Sequence, residues 1–390
     1  MTTKTTKEFV HFKRSYGLNE IALVPSSHTL DPDIVDISTK IGPLKLQIPI
    51  IGSAMDSVVS PQTAALLGNM GALGVLNLEG VQTRYENADD ILTQIAGVSK
   101  QNYVDLMQTI YQQESVKESL IRERIRDIKA SGAPVVVSCT PVNAPTFGRI
   151  ANDEGVDAIL IQSTVISTQH KSTQGVEALD LSAFCQSVDV PVWVGNSATY
   201  DVTATLLSTG VDAIFVGIGP GAACTTRGVL GVGVPMATSI ADAAQARDDY
   251  HRETGQYVNI IADGGIVNSG DICKALACGA DAVMIGSPLA RAKEAPGRGF
   301  HWGMATPNAV LPRGARVEVG TVASMQDILL GPSKSDDGSQ NLAGAIRTCM
   351  ATVGAEQISD LHDHIEVIIA PSLLTEGKVY QKVQSLGMYK

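Results

Sequence analysis

The sequence predicts an α/β fold, a TIM (β/α)8 barrel, from a repeated segment pattern and from the number of buried strands. Three segments read as a helix-like stretch, a glycine, an apolar residue, an aspartate and an apolar strand. They are residues 149–162, 206–217 and 275–286, and residues 66–77 keep the glycine and the strand without the aspartate. Glycine is the expected cap of a helix that ends before a strand, and short, continuously apolar strands are typical of parallel sheets buried on both faces.

Four more apolar runs complete the set of strands. They lie at residues 48–54, 134–139, 190–196 and 258–265. At least eight strand signals, most of them alternating with helix-like segments, favour a closed barrel over a doubly wound sheet, which is the alternative. The 390 residues, 44% of them hydrophobic, are enough for a large core, and we expect one barrel domain over residues 1–390.

Two stretches depart from the barrel pattern. Residues 80–130 are polar and charged, with apolar residues at helical spacing, which predicts two or three helices inserted between barrel units. Residues 296–345 are rich in Gly, Pro, Ser and Asp, which predicts long mobile loops. Because long loops at an active face often act as lids, residues 296–345 are the predicted lid or flap. A solvent-exposed loop without a role at the site is the alternative.

Composition limits the classes of partner. The formal net charge of −11 and the few basic clusters argue against nucleic-acid polymers and anionic membranes, but a small anionic ligand can be held by backbone N–H groups. The six cysteines have no CxxC or zinc spacing, as is typical of a reducing compartment: Cys139, Cys185, Cys224, Cys273, Cys278 and Cys349. No secretory signal begins the chain and no apolar run reaches the ~20 residues that cross a bilayer, so we expect a cytoplasmic protein.

The strongest candidate for chemistry is the segment 217–227, GIGPGAACTTR, which follows an apolar strand. Its glycines let the backbone turn tightly and approach a ligand closely. Cys224 ends the loop, and a cysteine attacks an electrophile only as a thiolate, which loop N–H groups or a cation such as Arg227 would favour. A small buried cysteine after a structural turn is the alternative. The glycine density and the CTTR ending favour the nucleophile.

Polar residues and glycines also follow other predicted strands. Asn196, Asp263, Gly264, Gly265, Gly286 and Ser287 all occur at strand C-termini. The C-terminal ends of the strands form the active face of such barrels, so we expect these residues to share one site with the Cys224 loop. At any one of these positions, a purely structural role in a turn is the alternative, because Gly, Asn and Asp are common in turns.

A series of motifs makes the sequence resemble one enzyme family. SAMDSV (53–58), VGN (194–196), GIGPGAACTTR (217–227), GVGVP (231–235), ADGGI (262–266), MIGS (284–287), WGMA (302–305) and IRTCMATVGA (346–355) occur in the order seen in the IMP dehydrogenase/GMP reductase family. The resemblance covers nearly the whole chain except the helical insert, which stands where the dehydrogenases carry a regulatory CBS pair, and the lid. It implies a (β/α)8 barrel that acts at C2 of a purine nucleoside monophosphate, through a thioimidate on the loop cysteine and hydride exchange with a nicotinamide cofactor.

The resemblance also implies roles for individual residues. Cys224 is the nucleophile, Thr226 polarises the purine or the departing group, and the Asp263 carboxylate accepts hydrogen bonds from the ribose hydroxyls. The other substrate contacts that it implies are Ser53, Met55, Asn196, Gly264, Gly265, Gly286, Ser287, Gly303 and Met304. Among these, Gly265, Gly286 and Ser287 hold the 5′-phosphate, and Gly303 and Met304 face the base.

Two further groups of residues are implied in the same way. Gln162 and Ser163 stand where the dehydrogenases carry an Asp-Ser pair that seats the nicotinamide ribose, which makes them the candidate cofactor residues. The carbonyls of Gly219, Gly221 and Cys224 resemble a loop that binds a monovalent cation, and K⁺ is the candidate ion. Barrels of this family form homo-oligomers, so we expect a tetramer or an octamer.

Two reactions share the thioimidate. An IMP dehydrogenase passes hydride to NAD and must then hydrolyse the adduct with a positioned base, which in the family is an Arg-Tyr pair on a long flap. Here residues 306–316, TPNAVLPRGAR, form a short segment without tyrosine. A GMP reductase expels ammonia, takes hydride from NADPH, and needs a proton for the leaving amine, for which Thr226 and Glu318 are the candidates. We therefore expect a GMP reductase.

Three alternatives remain at this point. The first is an IMP dehydrogenase that uses NAD. The second is a catalytically altered relative that binds a purine nucleotide as a sensor or assembly partner, although a binding module has no need of a nucleophile. The third is a flavin-dependent barrel oxidoreductase, which would share the phosphate site.

Overall fold

Eight parallel strands close into a barrel in the computed structural model, which describes residues 13–169, 178–303 and 315–370. Each strand pairs with the next along the chain, and the last pairs with the first. The strands are β1 (Ile50–Gly52), β2 (Leu73–Asn77), β3 (Val136–Cys139), β4 (Ala158–Gln162), β5 (Val192–Ser197), β6 (Ala213–Val216), β7 (Asn259–Asp263) and β8 (Ala282–Ile285). The predicted TIM barrel is confirmed, and the doubly wound alternative is wrong.

The barrel interior is filled by side chains that alternate with those facing the helices. Leu73, Leu160, Trp193, Phe215 and Met284 belong to this inner cluster, and the Trp193 and Phe215 ring centroids lie 6.0 Å apart. A hairpin of Thr39–Ile41 and Leu44–Leu46 adds Ile41 and Leu46 to the same cluster. Because side chains fill the barrel interior, the space for a ligand lies at the C-terminal ends of the strands.

Fourteen helices occur in the described part of the chain, most of them around the barrel. They are α1 (Pro61–Asn69), α2 (Ala88–Gly97), α3 (Tyr103–Gln113), α4 (Glu118–Ala130), α5 (Arg149–Asp153), α6 (Leu181–Gln186), α7 (Tyr200–Leu207), α8 (Thr226–Leu230), α9 (Met236–Thr254), α10 (Ser269–Ala277), α11 (Ser287–Ala290), α12 (Met325–Leu329), α13 (Leu342–Val353) and α14 (Ile358–His364). None of these helices combines the length and the apolar character that crossing a bilayer requires.

The helical stretch predicted at residues 80–130 divides into two parts. Helix α4 packs against α1 and α5, so it is the ordinary barrel helix between β2 and β3 rather than an insertion. Helices α2 and α3 are additional, and they pack around a separate apolar cluster that includes Leu92, Ile95, Met107 and Trp302. The prediction therefore placed one barrel helix in the insert, because a polar amphipathic pattern does not distinguish a barrel helix from an added one.

The predicted lid contains more regular structure than expected. Within residues 296–345, Phe300–Trp302 and Arg316–Glu318 form an antiparallel pair, and helix α12 follows. Residues 304–314, which connect the two strands, lie outside the described residues. The expectation of loops throughout 296–345 is wrong because short strands among glycines and prolines carry little sequence signal.

A third antiparallel pair joins the two ends of the described chain. Ile21–Leu23 pairs with Val367–Ile369.

The additional helices hold the first of the lid strands through a buried polar chain. Trp302 Nε1 donates to the Tyr111 hydroxyl at 3.0 Å, and that hydroxyl donates to Asp56 Oδ2 at 2.6 Å. Asp56 Oδ2 also accepts from the Val81 amide at 2.9 Å. Burial raises the pKa of Asp56, whereas the hydrogen bonds from Tyr111 and Val81 lower it. Helix α3 is thus anchored both to the loop after β1 and to the strand Phe300–Trp302.

The second lid strand is held by Arg316. Its NH2 donates to the Val98 carbonyl at 2.8 Å and its NH1 to the Ile95 carbonyl at 2.5 Å, which satisfies carbonyls at the C-terminal end of α2. The guanidinium also lies over the rings of Phe300 and Tyr103, 4.4 and 5.2 Å from their centroids. Both lid strands are therefore fixed to the additional helices.

Candidate active site

The C-terminal ends of the barrel strands surround a cavity of about 480 Å³, within the usual size range of small-molecule sites. Nearly all the site residues expected from the sequence line it. These are Ser53, Met55, Gln162, Ser163, Asn196, Gly219, Gly221, Cys224, Thr226, Asp263, Gly264, Gly265, Gly286, Ser287 and Gly303. Residues that are far apart in sequence meet here because most of them lie at, or just after, the C-terminal ends of strands of one closed parallel barrel.

Two glycines let the thiol loop approach the barrel. Gly217 leaves β6 with a φ of +149°, and a Cβ there would lie 2.1 Å from the Asp263 carbonyl oxygen. Gly219 has a φ of +79°, and a Cβ there would lie 2.5 Å from Arg227 Cγ. Any larger residue at either position would push the loop away from its neighbours.

Cys224 stands exposed at the cavity, next to a buried hydroxyl. Its Sγ lies 3.2 Å from Thr226 Oγ1, and its amide donates to the Gly221 carbonyl at 3.0 Å. Thr226 is 9% exposed and is the first residue of α8, so its hydroxyl is held in place by the helix. The alternative of a small buried structural cysteine is therefore wrong.

Other cysteines differ from Cys224 in their surroundings. Burial raises the pKa of Cys185 to about 11 and that of Cys278 to about 12. Burial also raises the pKa of Cys139. These thiols stay protonated near neutral pH, when a thiol is a poor nucleophile.

The Arg227 guanidinium binds backbone carbonyls within and after the thiol loop. Its Nε donates to the Ile218 carbonyl at 3.2 Å and its NH2 to the Val234 carbonyl at 2.5 Å. The side chain therefore ties the start of the thiol loop to the segment after α8. Its hydrogen bonds go to loop carbonyls rather than to Cys224, contrary to the suggestion that it serves the thiolate directly.

Asp263 lies at the centre of a buried amide network. Its Oδ2 accepts from Asn196 Nδ2 at 2.7 Å and from Gln162 Nε2 at 2.8 Å. Asn196 Nδ2 also donates to the Gly217 carbonyl at 3.0 Å, which connects the network to the thiol loop. Burial raises the pKa of Asp263 to about 6, against the lowering effect of the two amide hydrogen bonds.

A second polar group forms at the end of β8. Ser287 Oγ lies 2.9 Å from His301 Nε2, and burial lowers the pKa of His301. Gly286 precedes Ser287, and a Cβ at Gly286 would lie 3.0 Å from Met55 Sδ and 3.4 Å from Ser53 Oγ. A small neutral pocket of hydroxyl, imidazole and backbone groups results, which suits an anionic oxygen group.

Three features predicted from the sequence are not part of the cavity described so far. Glu318 is exposed on the second lid strand and does not line the cavity, so the structure gives no support to its role as a proton donor. Met304 lies outside the described residues. For the cation loop, the Gly221 carbonyl accepts the Cys224 amide at 3.0 Å, and the monovalent-cation site stays a prediction.

Over residues 13–169, 178–303 and 315–370, no group of three or more His, Cys, Asp or Glu side chains is arranged to hold a metal ion.

Sequence reasoning missed several residues that line the cavity, among them Thr140 and His301. Thr140 directly follows β3, so the rule that strand C-termini carry the site could have identified it. Its amide and hydroxyl both donate to the Glu79 carboxylate, at 2.5 and 3.1 Å, and Asn143 Nδ2 donates to the same carboxylate. His301 lies in a strand that the sequence did not predict, and no local signal identified it.

Comparisons with known proteins agree with this geometry. The sequence model of the IMP dehydrogenase / GMP reductase domain matches residues 15–308. An uncharacterized oxidoreductase of Mycolicibacterium smegmatis is 37% identical over 351 residues, which cover 88% of this chain and 93% of the relative. An inosine-5′-monophosphate dehydrogenase of Aquifex aeolicus is 28% identical over 466 residues, covering 91% and 93% of the two chains.

A solved structure is similar to this chain over nearly its whole length. The crystal structure of an IMP dehydrogenase/GMP reductase-like protein from Corynebacterium glutamicum superposes with a TM-score of 0.86 at 35% identity, and covers 92% of this chain and 95% of its own. The match of the family model extends over the barrel and its cavity. The chain therefore belongs to the IMP dehydrogenase/GMP reductase family of oxidoreductases, which act on purine nucleoside monophosphates with nicotinamide cofactors.

Proposed function

We propose that this protein is a GMP reductase, which converts GMP and NADPH to IMP and ammonia through a thioimidate on Cys224. The observation that carries the proposal is the contact between an exposed thiol and a buried hydroxyl, Cys224 Sγ and Thr226 Oγ1 at 3.2 Å. Both groups line the cavity that also contains the Asp263 carboxylate and Ser287. A nucleophile, a hydrogen-bond donor and two anchoring groups share one site, as covalent catalysis requires.

The nucleotide would be held at its two polar ends. Asp263 Oδ2 already accepts two amide N–H groups, so Oδ1 is the oxygen that would accept hydrogen bonds from the ribose hydroxyls. The 5′-phosphate would bind at Gly265, Gly286 and Ser287, beside His301. Gly303 and Met55 line the same cavity and would contact the purine. This arrangement would bring C2 of the base to Cys224.

Ammonia leaves in the first half of the reaction. The Cys224 thiolate attacks C2 of GMP and forms the S–C2 bond, and the C2–N bond then breaks as the amine takes up a proton. Thr226 is the residue placed to hydrogen-bond the departing amine and to relay that proton from solvent. Glu318 has no part in this step, since it lies outside the cavity lining.

Cys224 is released in the second half. A bound dihydronicotinamide would supply hydride to C2, and would be oxidised to the nicotinamide. The S–C2 bond then breaks, which regenerates the Cys224 thiolate and leaves IMP. The overall balance is GMP, NADPH and two protons giving IMP, NADP⁺ and ammonium.

The cofactor would bind on the side of the cavity formed by β3 and β4. Thr140, Ser163 and Thr164 line this side and offer hydroxyl groups that suit a ribose or a carboxamide. The Ser163 hydroxyl donates to the Val165 carbonyl at 2.8 Å, which fixes its lone pairs as acceptors for a ligand. These hydroxyl groups support the binding of a nicotinamide nucleotide.

Two observations favour reduction over dehydrogenation. Hydrolysis of the adduct would need a base for water, but His301 Nε2 is within hydrogen-bond distance of Ser287 and Asp263 is bonded to two amides. The segment 306–316 also lacks the tyrosine of the dehydrogenase flap. Among the described residues that line the cavity, none is placed to act as that base, so hydrolysis of the covalent adduct would be slow.

A direct assay at 340 nm tests the proposal. The purified protein is supplied with GMP and NADPH, and separately with IMP and NAD, with Cys224→Ser as the matched control. We expect NADPH consumption with GMP, IMP and ammonia in equal amounts, and little or no XMP from IMP. Sustained XMP formation faster than GMP reduction would make the protein an IMP dehydrogenase. Nucleotide binding without turnover in either direction would make it a binding relative.

A further inference from the structure

Gln162 reaches across the mouth of the barrel to a residue three strands away. It is the last residue of β4, whereas Asp263 is the last residue of β7, 101 positions later in the sequence. Gln162 Nε2 lies 2.8 Å from Asp263 Oδ2 and 3.0 Å from Asn196 Oδ1. The Gln162 side chain is only 7% exposed and that of Asn196 only 5%. The three side chains form one hydrogen-bonded layer in the wall of the cavity.

The direction of every hydrogen bond in this layer is determined. Asp263 Oδ2 is flanked by Gln162 and Asn196, and an ionised carboxylate only accepts, so both amides must turn their nitrogen atoms toward it. This orientation leaves Gln162 Oε1 buried without a partner among the described residues. If Gln162 only filled space in the core, it would not be held with its carbonyl oxygen buried and unpaired. The orientation is explained by the need to donate to Asp263.

The amide at this position also avoids a clash of charges. A glutamate in place of Gln162, with the same reach, would bring a carboxylate to about 3 Å from that of Asp263, where two like charges cannot both ionise. Burial raises the pKa of Asp263, and the hydrogen bonds from Asn196 and Gln162 lower it. Within residues 13–169, 178–303 and 315–370, Cys224 and His301 are the other titratable side chains that line the cavity. The ionised form of Asp263 therefore depends on its two amide donors.

We propose that Gln162 is a positioning residue for the nucleotide rather than a cofactor contact: its amide fixes Oδ2 of Asp263 and so presents Oδ1 to the ribose diol of a purine nucleoside monophosphate. This inference rests on the proposed function, because it assigns the ligand of the same site. It departs from the cofactor role that the sequence resemblance implies for Gln162. Substrate affinity, and not cofactor affinity, should respond to changes at this position.

Titration calorimetry with GMP and with its 2′,3′-dideoxy analogue, from pH 5.5 to 8.5, tests the proposal. Gln162→Met keeps the side-chain volume and removes the donor, so we expect about tenfold weaker GMP binding at pH 7.5. Binding of the dideoxy analogue should stay within about twofold, since that ligand lacks the diol that Asp263 would recognise. The KM for NADPH should also remain unchanged.

Two further variants separate positioning from a structural role. In Gln162→Glu the new carboxyl can donate to Asp263 only when it is protonated, so GMP affinity should recover as the pH falls, whereas Gln162→Met should weaken further. The matched control is Gln340→Met, which removes another buried glutamine, bonded to the Lys334 amide and outside the cavity lining. Gln340→Met should bind both ligands like the wild type.

The outcomes distinguish the inference from the proposed function. Equal weakening of GMP and its dideoxy analogue by Gln162→Met, or a change confined to the KM for NADPH, would overturn the positioning role. Identical pH profiles for Gln162→Met and Gln162→Glu would also overturn it. A wild-type protein that binds no purine nucleotide would instead overturn the proposed function itself.

Discussion

His301 Nε2 lies 2.9 Å from Ser287 Oγ, and the two residues belong to different secondary-structure elements. Ser287 begins the short helix after β8, and His301 is the middle residue of the strand Phe300–Trp302. Because side chains alternate along a strand, Phe300 and Trp302 face the additional helices while His301 faces the cavity. The additional helices thus support the strand that completes the predicted phosphate site.

We expect His301→Phe to weaken the binding of GMP by about tenfold and to leave the binding of guanosine nearly unchanged. The substitution keeps a ring of similar size but removes the nitrogen that orients Ser287, and hydrogen bonds to a charged group are worth about 1.5–3 kcal/mol. Calorimetry with both ligands measures the difference. Equal weakening of nucleotide and nucleoside would show that His301 only supports the fold.

Asp263→Asn should stabilise the unliganded protein while weakening its binding of GMP. Burial raises the pKa of Asp263 from 3.8 to about 6, so the folded state carries the cost of the ionised carboxylate above about pH 6. As the pH falls from 6 toward 3.8, the folded state takes up the proton first and the wild type regains stability. At about 1.4 kcal/mol per pKa unit, the gain from Asn at pH 7.5 is up to about 3 kcal/mol and should vanish near pH 4.

Urea unfolding of both proteins between pH 4 and 8 measures this effect. Asp180→Asn is the control, since Asp180 caps α6 through the Ala183 amide and Asn is an equally good cap. A stability difference for Asp263→Asn that does not depend on pH would contradict the explanation from ionisation.

Thr226→Ala should slow the release of ammonia more than it weakens the binding of GMP. The hydroxyl stands 3.2 Å from the nucleophile, where it can hydrogen-bond the departing amine, and proton transfer of this kind contributes about 10²–10⁴-fold. Thr226→Ser keeps the hydroxyl and should restore most of the rate. Rapid-quench measurement of ammonia in a single turnover checks this, and a pure KM effect in both variants would rule out the role.

Tyr111→Phe should destabilise the fold by about 1–3 kcal/mol, because it removes a donor from the buried Asp56 and an acceptor from Trp302. Tyr85→Phe is the matched control, since it loses a single bond from a tyrosine hydroxyl to the Ile110 carbonyl. Chemical denaturation should show the larger loss for Tyr111→Phe. Equal effects of the two substitutions would mean that Asp56 gains nothing from Tyr111.

The barrel could be predicted from sequence because its signals are local and repeated. The glycine-capped helices and buried apolar runs determine the strands independently of one another, and a closed parallel barrel is the arrangement that buries all eight. Asp263 and Ser287 could be placed in one site for the same reason. These predictions need only the rule that strand C-termini share one face.

The remaining features depend on contacts that no local pattern encodes. Gln162 reaches Asp263 across three strands, and Trp302 meets Tyr111 over 191 positions of sequence. Glu318 was assigned to the site by its nearness along the chain, whereas in the structure it is exposed and outside the cavity lining. The short strand Phe300–Trp302 packs against the apolar surface of α2 and α3, which lie about 200 positions earlier in the sequence.

The central claim is that the Cys224 thiol attacks C2 of the purine ring, and intact-mass spectrometry of the trapped protein tests it most directly. The probe is a purine ribonucleoside 5′-monophosphate with chlorine at C2, since attack forms the S–C2 bond and expels chloride. We predict a mass gain equal to the nucleotide minus HCl, located by peptide mapping to Cys224, protected by excess GMP and lost in Cys224→Ser together with turnover. GMP turnover that persists in Cys224→Ser, or labelling of other cysteines with Cys224 unmodified, would contradict the covalent mechanism.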